Sequence, residues 1–133
     1  MFNPDFPAVS AFMPSFETAA RSLKVTPITA PVRSDVEIET AIVALGREPG
    51  GGLVAMSDAF MVARRAPIIV AAARNNVPVV YLQSEFVRDG GLLSYGHDQV
   101  DTFRRAATYV DRILRGAKPG DLPVQFPRNT RWP

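Results

Sequence analysis

Two polar pairs, Ser57-Asp58 and Ser84-Glu85, are the residues of this chain best suited to hold a small molecule. Each follows an apolar run, Leu53-Val54-Ala55-Met56 in one case and Val79-Val80-Tyr81-Leu82 in the other. Such runs read as buried strands, and open α/β sheets bind ligands just beyond the carboxyl ends of their strands. The carboxyl groups of Asp58 and Glu85 can accept hydrogen bonds from ligand N–H or O–H groups, and the serine hydroxyls can donate or accept. The competing role is structural: Ser57 or Asp58 can cap a following helix by accepting from its free backbone N–H groups. Tyr95 ends a third short run, Leu92-Leu93-Ser94-Tyr95, where its ring can stack on a ligand or fill core. Phe60 and Phe86 pose the same choice and read first as core.

Other chemistry finds less support. His97 is the sole histidine and cysteine is absent, so a metal site would have to be built from carboxylates, and no suitable spacing is evident. No nucleophile pairs with His97, which reads as a loop residue beside Tyr95. Gly50-Gly51-Gly52 superficially suggests a phosphate loop, but it follows a helical pattern and precedes a strand, the reverse of the order such a loop requires. It reads as a turn at the sheet edge opposite the candidate site. No motif calls for a cofactor, and no enzyme activity is expected.

Positioning these residues requires a core, and an apolar fraction of 47% over 133 residues is enough for one domain. The net charge of +2 and the isolated pairs Arg64-Arg65 and Arg104-Arg105 give no basic stripe of the kind nucleic acid requires. No run approaches the roughly 20 apolar residues of a membrane-spanning helix. Met1-Phe2-Asn3-Pro4-Asp5 has neither the basic nor the apolar region of a signal peptide.

Along the chain, helical and extended patterns alternate. Phe12, Phe16, Ala19, Ala20 and Leu23 share one helical face, interrupted by Pro14. Val25–Val32 reads as an extended segment, confined to a sheet edge by Pro27 and Pro31. Ser34 or Asp35 caps a helix that buries Val36, Ile38, Ala41, Ile42 and Leu45. A helix from Ala59 to Asn75 carries a kink or break at Pro67. The final helix, from Asp98 to Leu114, is expected to bury Val100, Phe103, Ala107, Val110 and Leu114, and Gly116 stops it. Strands alternating with helices predict an α/β fold, with a three-layer parallel sheet flanked by helices.

Taken in order, several segments resemble a known family. They include Asn3-Pro4, Ala30-Pro31-Val32-Arg33, Asp58 within Leu53-Val54-x-Met56-x-Asp58-x-Phe60, and Val77-Pro78-x-Val80-Tyr81. The most specific are Gly90-Gly91-Leu92-Leu93-Ser94-Tyr95-Gly96 and, further on, Gly116-Ala117-Lys118-Pro119-x-Asp121-Leu122-Pro123-Val124. These resemble ABC-transporter substrate-binding proteins related to tryptophan/tyrosine-binding proteins, over about Phe2 to Pro127. The resemblance implies a type I periplasmic-binding fold, of which this chain is similar to the second lobe only. It implies a single lobe over residues 1–127, with a divergent tail over 128–133, and Ser57, Asp58, Glu85, Phe86 and Tyr95 on loops facing an interlobe cleft. The implied function is capture of a small, amino-acid-like solute for an ABC permease, outside the cytoplasmic membrane.

The resemblance also implies that the chain is a fragment. The family has a full apolar strand before Asn3-Pro4, central in a sheet of order 2-1-3-4-5, and only Met1-Phe2 stand there. Loss of that strand would leave backbone groups of its neighbours unpaired, at about 1–3 kcal/mol each where buried. Exposed sheet edges would then invite pairing with a second copy. Two other readings stand beside this one. A small flavodoxin-like enzyme or regulatory domain would show bound flavin or an acidic cluster at the strand ends. A non-functional remnant would fold poorly.

Overall fold

The computed structural model describes residues 1–125 together with Thr130 and Arg131. Three short parallel strands, β1 (Leu53–Ala55), β2 (Val79–Tyr81) and β3 (Leu93–Ser94), form a sheet in the order β1-β2-β3. The position of the expected central strand is held by two residues, Met1 and Phe2. The Met1 nitrogen donates to the Val54 carbonyl at 2.8 Å, and the Met56 N–H donates back to the Met1 carbonyl at 3.0 Å. On the other side, Phe2 donates to Ala30 and its carbonyl accepts from Val32, making a parallel bridge with Pro31. Met1 and Phe2 therefore join β1 to the Ala30–Val32 segment, and the order 2-1-3-4-5 is retained. Val25–Val32, expected as an edge strand, contributes only this bridge, because Pro27 and Pro31 lack the N–H groups a longer ladder needs.

Alternation along the strands decides where the core lies. Leu53, Ala55, Val79 and Tyr81 are buried, whereas Val54 and Val80, pointing to the other side, are half-buried. The buried strand residues share one cluster with Ile38 and Ile42 of α2 (Asp35–Gly46), Ile68, Ile69 and Ala72 of α4 (Arg65–Arg74), and Met61 of α3 (Ala59–Ala63). Phe86 of α5 (Ser84–Arg88) completes it, its ring stacked on Tyr81 with centroids 4.6 Å apart. The sheet is thus sealed by α2 to α5. Helix α2 starts on Ser34, whose hydroxyl accepts from the Glu37 N–H, while the Glu37 carboxylate accepts from the Arg33 N–H, a variant of the capping box. The predicted single helix over 59–75 breaks at Arg64 rather than at Pro67, which is accommodated in the first turn of α4. Arg64 stays bound at the break by Asp35 and lies over the Phe60 ring at 3.9 Å.

Right-handed crossovers place α1 (Val9–Ser22) on the opposite face from α2, since the two connections run in opposite directions across the sheet. Only Val9 of α1 is buried; Phe12, Phe16 and Leu23 of its apolar stripe are exposed. Helix α6 (Gln99–Leu114) departs from expectation more sharply. It forms where the periodicity predicts, with Asp98 capping through the Asp101 N–H, yet it buries none of its residues. Val100, Phe103, Ala107, Val110 and Leu114 are all exposed, with Phe103 at 72%. The helix leaves the sheet after β3 and packs instead along the segment that follows it: the Tyr109 hydroxyl donates to the Pro123 carbonyl and Arg105 donates to Gln125. Gly116, at φ +100°, takes the left-handed turn that ends α6. Strand β4 (Gly96–His97) pairs antiparallel with β5 (Thr130–Arg131). The remainder of the expected divergent tail, 128–129 and 132–133, lies outside the described residues.

Candidate ligand site at the carboxyl edge

Parallel register brings the exits of the three strands side by side. Ala55 lies opposite Tyr81, and Tyr81 opposite Ser94. At about 4.8 Å per strand, the exits of β1 and β3 stand roughly 10 Å apart, a span suited to a small solute. Ser57-Asp58 sits at one end of this row and Tyr95 at the other. The Tyr95 N–H donates to the Tyr81 carbonyl at 2.8 Å, tying its backbone to the middle strand.

Asp58 is 8% exposed and caps α3, its Oδ1 accepting from the Met61 N–H at 2.9 Å. Capping uses only half of the carboxyl group. Oδ2 is buried with no hydrogen-bond partner among the described residues, and so is the hydroxyl of Ser57. Two adjacent orphan polar atoms are costly, at about 1–3 kcal/mol each, unless a donor reaches them. The pair therefore has unused capacity for an N–H or O–H group arriving at the β1 exit.

The other expected contacts separate by burial. Ser84 is exposed on the first residue of α5, and Glu85 beside it is half-buried, its side chain in no hydrogen bond or ion pair among the described residues. Phe86 is 1% exposed and stacked on Tyr81, which commits its ring to the core; the resemblance had it facing the cleft. Phe60 packs partly buried against the same cluster, as read from the sequence. Tyr95 is 45% exposed, so its ring borders solvent at the strand end. His97 is exposed in β4. Among the described residues, no three His, Asp or Glu side chains gather as a metal site, and no helix is long and apolar enough to cross a membrane.

Two features escaped sequence reasoning. Ser94 is buried at the very end of β3, and the alternation of Leu93, Ser94 and Tyr95 was the signal that could have shown it inward. Gly96 passes so close to β2 that a Cβ there would strike the Leu82 carbonyl. Only a residue without a Cβ lets the chain leaving β3 run this close to the end of β2.

The model of a family described as ABC transporter substrate binding protein matches residues 1–131. The chain belongs to the ABC transporter substrate-binding family. Solved structures share the fold of this chain. A conserved domain protein from Vibrio cholerae O1 biovar El Tor superposes with a TM-score of 0.80 at 23% identity, covering 98% of this chain and 44% of its own. An ABC domain from Streptococcus pneumoniae, solved in complex with L-Trp, superposes at 0.74 with 21% identity, covering 92% of this chain and 41% of its own. The chain thus spans less than half the length of these solved relatives. No curated protein sequence matches it.

Proposed function

We propose that the carboxyl edge of β1–β3 forms one wall of a cleft that captures a small amino-acid-like solute for an ABC importer, outside the cytoplasmic membrane. The observation that carries this reading is the orphaned pair at the β1 exit, Ser57 Oγ and Asp58 Oδ2, buried together at the edge where sheets of this class bind ligands. Ligand N–H or O–H groups would satisfy the two atoms, one hydrogen bond to each. Membership of the substrate-binding family supports the role, and the L-Trp complex of the Streptococcus pneumoniae relative suggests an amino acid as the solute class.

In this proposal Asp58 and Ser57 take the polar end of the solute, Tyr95 offers a ring face about two strand spacings away, and Ser84 and Glu85 line the rim. One wall alone encloses little of a ligand, so binding by the 133-residue chain should be weak. The full mechanism is hinge closure of two lobes, with delivery to a permease.

NMR titration of the 133-residue chain with L-Trp, L-Tyr and an aliphatic amino acid tests the site. Shift changes should concentrate at Ser57, Asp58 and Tyr95 and shrink in Asp58→Asn and Tyr95→Ala. Changes confined to other regions would reject this edge as the site, and tight binding would reject its description as half of a cleft.

A further inference from the structure

Asp58 stands at the β1 exit as an acid without a cation. It enters no ion pair among the described residues, and the two arginines that follow it are engaged elsewhere, Arg64 with Asp35 and Arg65 with Asp89. Residues 56–61, 82–87 and 95–98, which leave the three strands, include Asp58, Glu85 and Asp98 but no lysine or arginine. Burying a carboxylate is costly unless charge and hydrogen bonds compensate it. Among the described residues the Asp58 side chain, 8% exposed, receives one backbone N–H, that of Met61. We propose that this position selects its solute by a primary ammonium group, which donates one hydrogen bond to Asp58 Oδ2 and another to Ser57 Oγ. The inference rests on the carboxyl edge being the ligand site and adds the charge and shape of the group that docks there.

The chemistry of the pair favours that group over other donors. An ammonium carries three N–H groups on one atom, so it can supply both orphaned acceptors at once, and its charge offsets that of Asp58. A hydroxyl has one proton to donate and no charge. A guanidinium is charged, but its planar fork suits both oxygens of a carboxylate together. Asp58 cannot offer both freely, because Oδ1 already accepts from Met61 at 2.9 Å. One free oxygen beside a serine hydroxyl matches a point donor.

The same charge balance decides where a carboxylate on the solute does not go. Glu85, half-buried at the β2 exit, adds a second acid with no ion pair among the described residues. A ligand carboxylate is therefore disfavoured along this wall and must find its partner elsewhere. An amine that lacks the carboxylate should bind the wall at least as well as the matching amino acid.

NMR titration of the 133-residue chain at neutral pH, with indole compounds that differ in the head group, is the test. The probes are tryptamine, its guanidine analogue, L-Trp, tryptophol and indole-3-propionate. Read at the Ser57 and Asp58 amides, tryptamine should bind at least as well as L-Trp, tryptophol about tenfold more weakly, and indole-3-propionate more weakly still. Asp58→Asn, whose amide oxygen can keep the α3 cap, should cost tryptamine about tenfold and bring it level with tryptophol. Equal responses to tryptamine and tryptophol, or undiminished tryptamine binding in Asp58→Asn, would overturn the ammonium inference and leave the edge as the site. Tighter binding of the guanidine analogue would overturn the choice of a point donor. If no probe moves Ser57, Asp58 or Tyr95, the edge itself is rejected as the site, and the inference with it.

Discussion

The two sides of this molecule are built from helices that each carry apolar side chains, yet those side chains end in opposite states. Under α2 and α4, Ile42 and Ile68 are 0% exposed and Ile38 2%. On α6, Phe103 and Leu114 are 72% and 82% exposed, although the helix is the more cleanly amphipathic of the two sets. Helix formation and helix burial are separate events. Periodicity and a cap make a helix locally, whereas burial needs a surface for the stripe to meet. The α2–α5 side has that surface in Leu53, Ala55, Val79 and Tyr81, and α6, which buries none of its residues, does not.

If this contrast holds, truncations on the two sides should differ most. Ile42→Ala or Ile68→Ala should cost about 2–5 kcal/mol in denaturant unfolding, the usual range for a buried aliphatic side chain. A cost under about 1 kcal/mol would mean that the α2–α4 side is looser than its burial indicates. Gly96→Ala comes next, at about 1–3 kcal/mol, because the new methyl group would press on the Leu82 backbone and force the exit strand to move. A neutral result would show that the segment after β3 can shift to make room for the methyl group. Asp58→Ala should cost about 1 kcal/mol through loss of the α3 cap, with Asp58→Asn costing less because an amide oxygen can still accept from Met61.

Titration separates the two sides as well. Burial pushes the Tyr81 phenol up from its ordinary 10 to about 12. The folded state therefore favours the neutral phenol, and that contribution is intact below about pH 10 and lost as pH rises from about 10 to 12. Unfolding midpoints followed across this window should fall more steeply in the native chain than in Tyr81→Phe. The smallest effect belongs to the open side. In dilute solution Phe103→Ala should change stability by less than about 0.5 kcal/mol, as for other exposed positions. A large loss there would show that α6 packs on the lobe after all.

Much of the lobe was legible in its residues. Short apolar runs at 53–56 and 78–82 marked the strands, Ser34 and Asp58 marked helix starts, and the Ser94-Tyr95-Gly96 series marked the exit from the sheet. What was not legible was partnership. The pattern Val100, Phe103, Ala107, Val110 and Leu114 states that one face is apolar without stating what will cover it. The same limit applied to Phe86, whose aromatic ring suits a ligand wall and a core equally well until Tyr81 is seen stacked against it. Half of the candidate site was equally hidden: a cap at Asp58 could be read from its position, but an idle Oδ2 beside an idle Ser57 hydroxyl emerges only from three-dimensional neighbours.

The stitch made by Met1 has a consequence for the order in which the sheet assembles. β2 meets β3 across a short loop, and β1 meets β2 across one about twice as long. The hydrogen bond from Met1 to Val54 closes a longer loop than either. Each doubling of a loop adds about 0.6 kcal/mol of closure entropy, and contacts distant in sequence slow folding. The α2–α5 side can therefore condense first around β1–β3, with Met1 and Phe2 inserting afterwards into a groove already shaped for them. Pulsed hydrogen exchange during refolding should find the Tyr95 amide protected early and the Phe2, Val32 and Met56 amides protected late.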